Sequence, residues 1–332
     1  MPQSPSLSAA AGPKSPVELL RALIRRNEFA LLLSLAVLLV FFSLTSGSFL
    51  TPRNITNVLG QASLAMVAGI GLGLLVIAGE IDVSIGSLAG AVGIPLVVIM
   101  NATGSLELGI AGALLLALCV GVVNGFLAAY LGINSLIVTL GSLFVIRGGI
   151  YLYTGQKAIP DDVSLESFYQ LGNGRLLGTV PYPAMVALVL LVGFIYLMRH
   201  RPFGRKLYAV GGNPEVARLA GYDVKRVKFF AFVICSLLAG ISGILLSSRL
   251  GSAVHVAGLG FEFQVVAAVV LGGASLAGGI GSLFGVALGV LILSFLANGL
   301  GMLNLATEWQ LVTTGLIIIA AVAFDELKRR AK

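Results

Sequence analysis

Ten separate apolar runs, each near the length that crosses a lipid bilayer, constrain this chain more than any other feature. They lie at 29–46, 61–79, 85–100, 108–131, 135–153, 181–198, 229–248, 263–278, 280–298 and 309–324. A spanning helix needs about 20 mainly apolar residues. The third, eighth and ninth runs are short or interrupted by glycine. Lipid offers no water to backbone N–H and C=O groups, so runs of this length must satisfy them internally as helices. The expected fold class is all-α: a polytopic helical membrane protein of about ten transmembrane helices with both termini cytoplasmic. Broken or re-entrant segments are expected near 79–90 and 270–285. The connections are short, so the chain divides into a tail over 1–28, one transmembrane domain over 29–324 and a tail over 325–332. Composition agrees. Only 11% of the 332 residues are charged, where a soluble domain would carry roughly a quarter. The 43 glycines suit close helix–helix approach in lipid.

Basic residues orient the bundle through the positive-inside rule. With the N-terminus in the cytoplasm, 16 of the 21 Lys and Arg residues fall inside: four in the N-tail, eight in the loop 199–228 and four in the C-tail. The other five, Arg53, Arg147, Lys157, Arg175 and Arg249, lie outside or near outer helix ends. The formal charge of +7 therefore follows membrane topology and implies lipid, not nucleic acid, as the surrounding partner. The first apolar run has no small-residue cleavage site after it, which fits an uncleaved span better than a signal peptide.

Several chemistries find no support. There is no Walker A pattern and no nucleophile elbow, so nothing points to catalysis or ATP hydrolysis within this chain. His200 and His255 are far apart and offer no metal-ligand spacing. Cys119 and Cys235 each fall inside apolar runs and are expected as free, buried small hydrophobes.

The loop 199–228 holds a short helix with both ends marked. Asn213 is a good N-cap, Pro214 suits the first helical position, Glu215 favours the positive end of the dipole, and Gly221 suits the position just past the end. Pro214 to Ala220 would make about two turns, roughly 10 Å long. Such a helix reads either as a handle for another protein or as an ordinary amphipathic connector.

Between the second and third runs, Glu80 and Asp82 interrupt the apolar sequence in AGEIDVSIGSLAG, residues 78–90. Charges there cost several kcal/mol unless they reach water or a partner. Either they sit hydrated in a tight cytoplasmic turn, or Gly79 and Gly86 permit a broken segment in which the carboxylates and Ser84 line a polar cavity. The six letters IGSLAG at 85–90 return as IGSLFG at 280–285, a weak hint of internal repetition. Gly272, Gly273, Gly278, Gly279 and Gly281 point to a tight hairpin between closely packed helices. Asn124 in GVVNG either bonds a neighbouring helix or meets substrate, and Asn134 and Thr139 open the fifth run. Arg147, about 13 residues into that run, either snorkels to the outer headgroups or lines a pore. No chain of acidic residues crosses the membrane as a proton relay would require.

Taken together, the chain resembles the permease subunit of ribose-type monosaccharide ABC importers from about residue 45 to 325. The resemblance rests on GEIDVSIGSLAG at 79–90, NSLIVTLG at 134–141, GRKLYAVGGNPEVARLAGYDVKRVK at 204–228 and VVLGGASLAGGIGS at 269–282. It implies a multi-pass protein of the bacterial inner membrane that works as a homo- or heterodimer of permeases. It also implies a cytoplasmic ATPase subunit, which uses ATP and Mg while this chain carries no cofactor, and an extracytoplasmic sugar-binding protein. The capped helix then matches the Glu-Ala-Ala-three residues-Gly pattern of importer coupling loops through Glu215, Ala217 and Gly221, with Val216 in place of the middle Ala. Asn213, Pro214 and Arg218 complete the expected ATPase contact. The Ile-x-Leu-Pro segment of other importer classes is absent, and Glu80 stands where many relatives have a second Gly. Glu80, Asp82, Ser84, Asn124 and Arg147 are the expected path residues. The implied function is import of a ribose-like pentose or a hexose. A branched-chain amino acid or nucleoside importer and a stand-alone ion-coupled carrier are the alternatives.

Overall fold

The computed structural model describes residues 27–306 and part of the segment 308–323. The predicted N-terminal tail before Asn27, the C-terminal tail and much of the tenth run lie outside the described residues, although the described positions after 307 are helical. Among the described residues the chain is predominantly helical, with four two-residue strands. The first membrane helix, α1, covers Asn27–Thr45, and α2 covers Pro52–Ile77, starting nine residues before its predicted apolar run because Pro52 opens it on a polar turn. Next come α3 (Ile85–Ala91) and α4 (Gly93–Thr103), separated only at Val92. The break has a local cause: Pro95 has no N–H to donate to the carbonyl one turn back. The third predicted run is therefore a nearly continuous helix over 85–103 with one interruption.

α5 (Leu106–Gly125) passes into a π-helical turn, Phe126–Tyr130, and α6 covers Ser135–Thr154. A short helix α7 (Glu166–Asn173) lies in the following connection, then α8 (Tyr182–His200), α9 (Pro202–Gly212) and α10 (Pro214–Leu219). α11 (Val224–Leu250), α12 (Phe261–Leu271) and α13 (Leu283–Met302) complete the described elements. Eight helices among the described residues are long and apolar enough to span a membrane. The expected count of ten is not reached there. The eighth run, predicted as 263–278, forms only the 11-residue α12, about 16 Å long and too short to cross. Gly272 and Gly273 end it.

α2 and α11 form the centre: α2 packs against α8, α11, α12 and α13, and α11 against α2, α3, α5 and α7. The alternation of small residues in α2 makes this possible. A Cβ at Gly71 would sit 2.9 Å from the Cys235 Cα, and one at Gly73 would sit 3.1 Å from Val286. Lipid is as apolar as the helices, so close packing through such residues holds the bundle instead of water exclusion. Cys235 is buried as expected, but Cys119 is exposed on the outward face of α5; both thiols are free.

The two ends of the bundle are distinct. At one end, Ile159–Pro160 pairs antiparallel with Ser252–Ala253, and Asn101 at the end of α4 donates to the Pro160 carbonyl at 2.9 Å. The other end carries α9, α10 and the turns 78–84 and 272–282.

Candidate functional site: a capped helix joined to a buried polar network

The sequence marks on the short capped helix α10 correspond to its geometry. The Asn213 Oδ1 accepts from the backbone N–H groups of Glu215 at 3.0 Å and Val216 at 3.1 Å. At the other end Gly221, at φ +83°, closes the helix in a Schellman pattern: Gly221 N–H bonds Arg218 O, and Tyr222 N–H bonds Ala217 O. The helix is one residue shorter than predicted, because Ala220 takes the cap position. Ala217 is buried, whereas Glu215 and Arg218 are exposed and pair with each other at 2.6 Å. Val216 and Leu219 are exposed apolar side chains on this short helix.

Sequence reasoning missed α9, which leads into it, since Gly211 and Gly212 at its end are poor helix formers. These glycines make the connection to the bundle. A Cβ at Gly211 would overlap the Ile77 carbonyl and sit 2.7 Å from the Gly279 nitrogen; one at Gly278 would sit 2.8 Å from the Gly79 Cα. The Gly279 N–H also donates to Ile77 O at 2.9 Å. Three backbones, from the end of α2, the end of α9 and the 272–282 turn, thus meet with no side chain between them. Tyr208 of α9 adds a hydrogen bond from its hydroxyl to Gly281 O at 2.8 Å. Burial, with Glu28 nearby, holds the Tyr208 phenol above its ordinary range, so it stays a donor.

Both turns begin alike. Gly79 and Gly273, at φ +81° and +88°, each end a helix with the same pair of Schellman bonds. The repeated letters that follow are used differently: Ile85 starts α3, whereas Ser282 caps α13 by accepting from Gly285 N–H. The expected tight hairpin is present, with Gly272 and Gly285 in backbone contact.

The acidic turn resolves into two environments. The Glu80 Oε1 meets the Lys228 Nζ at 2.5 Å, with the two side chains 13% and 19% exposed. Asp82 is fully buried, so the reading of a hydrated turn does not hold for it. Its Oδ1 accepts from Ser84 N–H at 2.8 Å and from the Ser84 hydroxyl at 2.6 Å. Asn124 Nδ2 donates to Ser84 Oγ at 3.1 Å, and Ser142 donates to Asn124 Oδ1 at 2.5 Å. Thr139 Oγ1 accepts from Val83 N–H at 3.2 Å, and Ser135 Oγ accepts from Ile81 N–H at 3.4 Å. Three of the expected path residues, Asp82, Ser84 and Asn124, therefore form one network. Ser135, Thr139 and Ser142 recur at helical spacing on one face of α6, a signal present in the sequence. The π-helical turn begins two residues after Asn124, with Leu131 N–H bonded to Phe126 O.

A cavity of about 490 Å³ opens between the acidic turn and α10, lined by Glu80, Asn134, Ser135, Pro214, Lys225 and Lys228 among others. Asp82 does not line it. Arg147 lies apart from the network and does not snorkel to a headgroup layer. It is buried, and its Nη1 donates to the carbonyls of His255 at 3.2 Å and Ala257 at 2.9 Å.

Eight apolar helices of membrane-spanning length, bundled around buried polar groups with a capped helix at one end, define a polytopic membrane protein. The chain belongs to the family described as the branched-chain amino acid transport system permease component, whose model matches residues 54–322. It is 38% identical over 329 residues to the L-arabinose ABC transporter permease protein of Azospirillum brasilense, covering 99% of this chain and 96% of that one. The ribose import permease protein of Escherichia coli K12 is 35% identical over 300 residues, 90% and 93% of the two chains. The xylose transport system permease protein of Haemophilus influenzae is 33% identical, covering 92% and 98%. The chain is accordingly a transmembrane transport subunit of the inner membrane, not an enzyme in itself.

Proposed function

We propose that this chain is the channel-forming subunit of an ATP-driven importer for a monosaccharide, with the 199–228 end facing the cytoplasm. The observation that carries the reading is the exposed, doubly capped α10, tied through α9 to both turns at that end. In this account a cytoplasmic ATPase pair grips α10 of two permease copies, identical or similar. When ATP closes the pair, α10 and α9 move as a unit and drag the turns 78–84 and 272–282 with them. The Glu80–Lys228 pair joins the same turn to the start of α11, so the motion reaches two central helices. Rigid-body displacement of packed elements then switches access from one face of the membrane to the other.

The buried groups suit a neutral, hydroxyl-rich substrate. Ser84, Asn124, Thr139 and Ser142 offer amide and hydroxyl partners, and Asp82 offers carboxylate acceptors. An extracytoplasmic binding protein would supply most of the selectivity among sugars. ATP and Mg belong to the ATPase. The family's description favours a second reading, a branched-chain amino acid as cargo. The full-length similarity to three proteins named for pentoses supports the sugar instead.

The test is purification of the tagged permease from native membranes in mild detergent. A cytoplasmic ATPase should accompany the wild-type chain and be lost from a variant disrupted over 213–221. A permease that purifies alone, and transports without ATP, would overturn the importer reading.

A further inference from the structure

α6 runs alongside α3 and grips it at two levels. Thr139 bonds the backbone just before α3, at Val83, and Arg147, two turns further along α6, reaches its other end at Gly90. There the Arg147 Nη1 lies 3.5 Å from where a Cβ at Gly90 would be, while donating to the His255 and Ala257 carbonyls. Those carbonyls belong to the segment 251–260, which folds over α3. A Cβ at Gly86 would sit 2.7 Å from Gly258 O, and the Ala257 carbonyl presses on Gly90. Glu262, in the first turn of α12, is also buried and packs its Oε2 against Gly86. A guanidinium and a carboxylate thus flank one short helix on adjacent turns, at the two positions where glycine leaves room.

Their hydrogen bonding is incomplete. Arg147 Nε, Glu262 Oε2 and His255 Nδ1 are all buried without a hydrogen-bond partner. Arg147 and Glu262 form no direct ion pair within 4.0 Å. Unsatisfied groups of this kind weaken a closed packing, and an arrangement that trades them for water or ligand contacts regains what closure lacks. This is the energetic profile of a contact that opens. It lies at the end away from α10, beside Ser252–Ala253 and its strand partner.

We infer that Arg147 and Glu262 are positioning residues that clasp the 251–260 segment shut over α3, and that releasing this clasp opens the pathway at the end opposite the docking helix. The inference rests on the permease reading above and adds where the far side opens. Arg147 holds two carbonyls of the segment through its Nη1, and Glu262, buried on the adjacent turn of α3, supplies the opposite charge. Removing both charges together avoids leaving either one uncompensated.

The experiment uses the full chain with Cys119→Ser and Cys235→Ala, carrying Ala257→Cys as reporter, in spheroplasts without sugar or added ATP. A membrane-impermeant maleimide is applied, and labelling is compared between this parent and the Arg147→Leu/Glu262→Leu double variant. The labelling rate should rise about tenfold, as a shift of a closed population toward an open one requires. Its thermal unfolding should stay within a few degrees of the parent, which a general loss of packing would not allow. An unchanged rate in a folded double variant would overturn the clasp. If the double variant fails to assemble, Arg147→Lys keeps the charge on a shorter side chain whose ammonium falls short of the Nη1 position; it should give an intermediate rate, and a parental rate would overturn the inference. Labelling needs neither ATPase nor sugar, so a failure of the transport reading leaves this result interpretable.

Discussion

Lys228 and Glu80, 148 residues apart in sequence, meet at 2.5 Å where the start of α11 touches the turn that follows α2. The pair joins the loop that carries the docking helix to the turn that carries Asp82. Both side chains are largely shielded from water, so the contact resists screening better than a surface ion pair. It is one link between α10 and the polar network, and the glycine contact at Gly211 is another.

Removing one charge of this pair should hurt more than removing both. Lys228→Met strands the Glu80 carboxylate in a poorly hydrated site, at a cost of about 2 kcal/mol, and should lower both melting temperature and uptake. Lys228→Met with Glu80→Gln should recover most of the stability. A double variant no better than Lys228→Met alone would show that the charges do not interact.

The docking helix should fail in a graded way. Asn213→Ala removes the acceptor for two N–H groups and should cost about 1 kcal/mol of local helix stability. Gly221→Val forces a β-branched residue into a left-handed conformation, a strain of about 1–3 kcal/mol. Both should raise the ratio of ATP hydrolysed to sugar imported in the reconstituted complex, with membrane insertion intact. A bulky residue at Glu215 should do the same. Normal coupling in all three would remove the helix from the mechanism.

Asp82→Asn keeps the size of the side chain and an oxygen for the Ser84 bonds, so folding should be nearly unchanged. Uptake should fall about tenfold if the carboxylate serves transport, as buried intramembrane charges generally do. A wild-type rate would reduce Asp82 to a structural cap for the start of α3.

Gly211→Ala places a methyl group onto the Ile77 carbonyl and beside Gly279. Backbone atoms cannot swing aside as a flexible side chain would, so overpacking of about 1–3 kcal/mol is expected. Gly212, whose Cβ would meet open space, is the control. Transport lost in Gly211→Ala and retained in Gly212→Ala would locate the mechanical link; equal behaviour of the two would dismiss it.

Much of this was legible in the sequence, and the rest was hidden for definite reasons. Eight of the ten predicted spans, the Asn213 and Gly221 caps and the tight glycine hairpin follow from local chemistry and are present among the described residues, with α2 reaching nine residues further back than its apolar run. For Asp82 the sequence left a hydrated turn and a polar cavity both open, because a charge in a short turn fits either; only the fold reveals that α5 and α6 close over it. Glu262 escaped notice because it stands one residue before an apolar run and reads as its polar flank. α12 proved too short to span because Gly272 and Gly273 end it, while hydropathy runs on to residue 278. The Lys228–Glu80 pair is a long-range contact for which no local pattern exists. Ser142, by contrast, could have been found from its spacing with Ser135 and Thr139.

The most direct measurement reconstitutes the chain in proteoliposomes with its co-purified ATPase and binding protein and follows labelled arabinose, ribose, xylose and leucine. The account predicts uptake of a monosaccharide that requires both ATP and the binding protein and is abolished by disrupting residues 213–221. Uptake of leucine but of no sugar, or sugar uptake driven by an ion gradient without ATP, would contradict it.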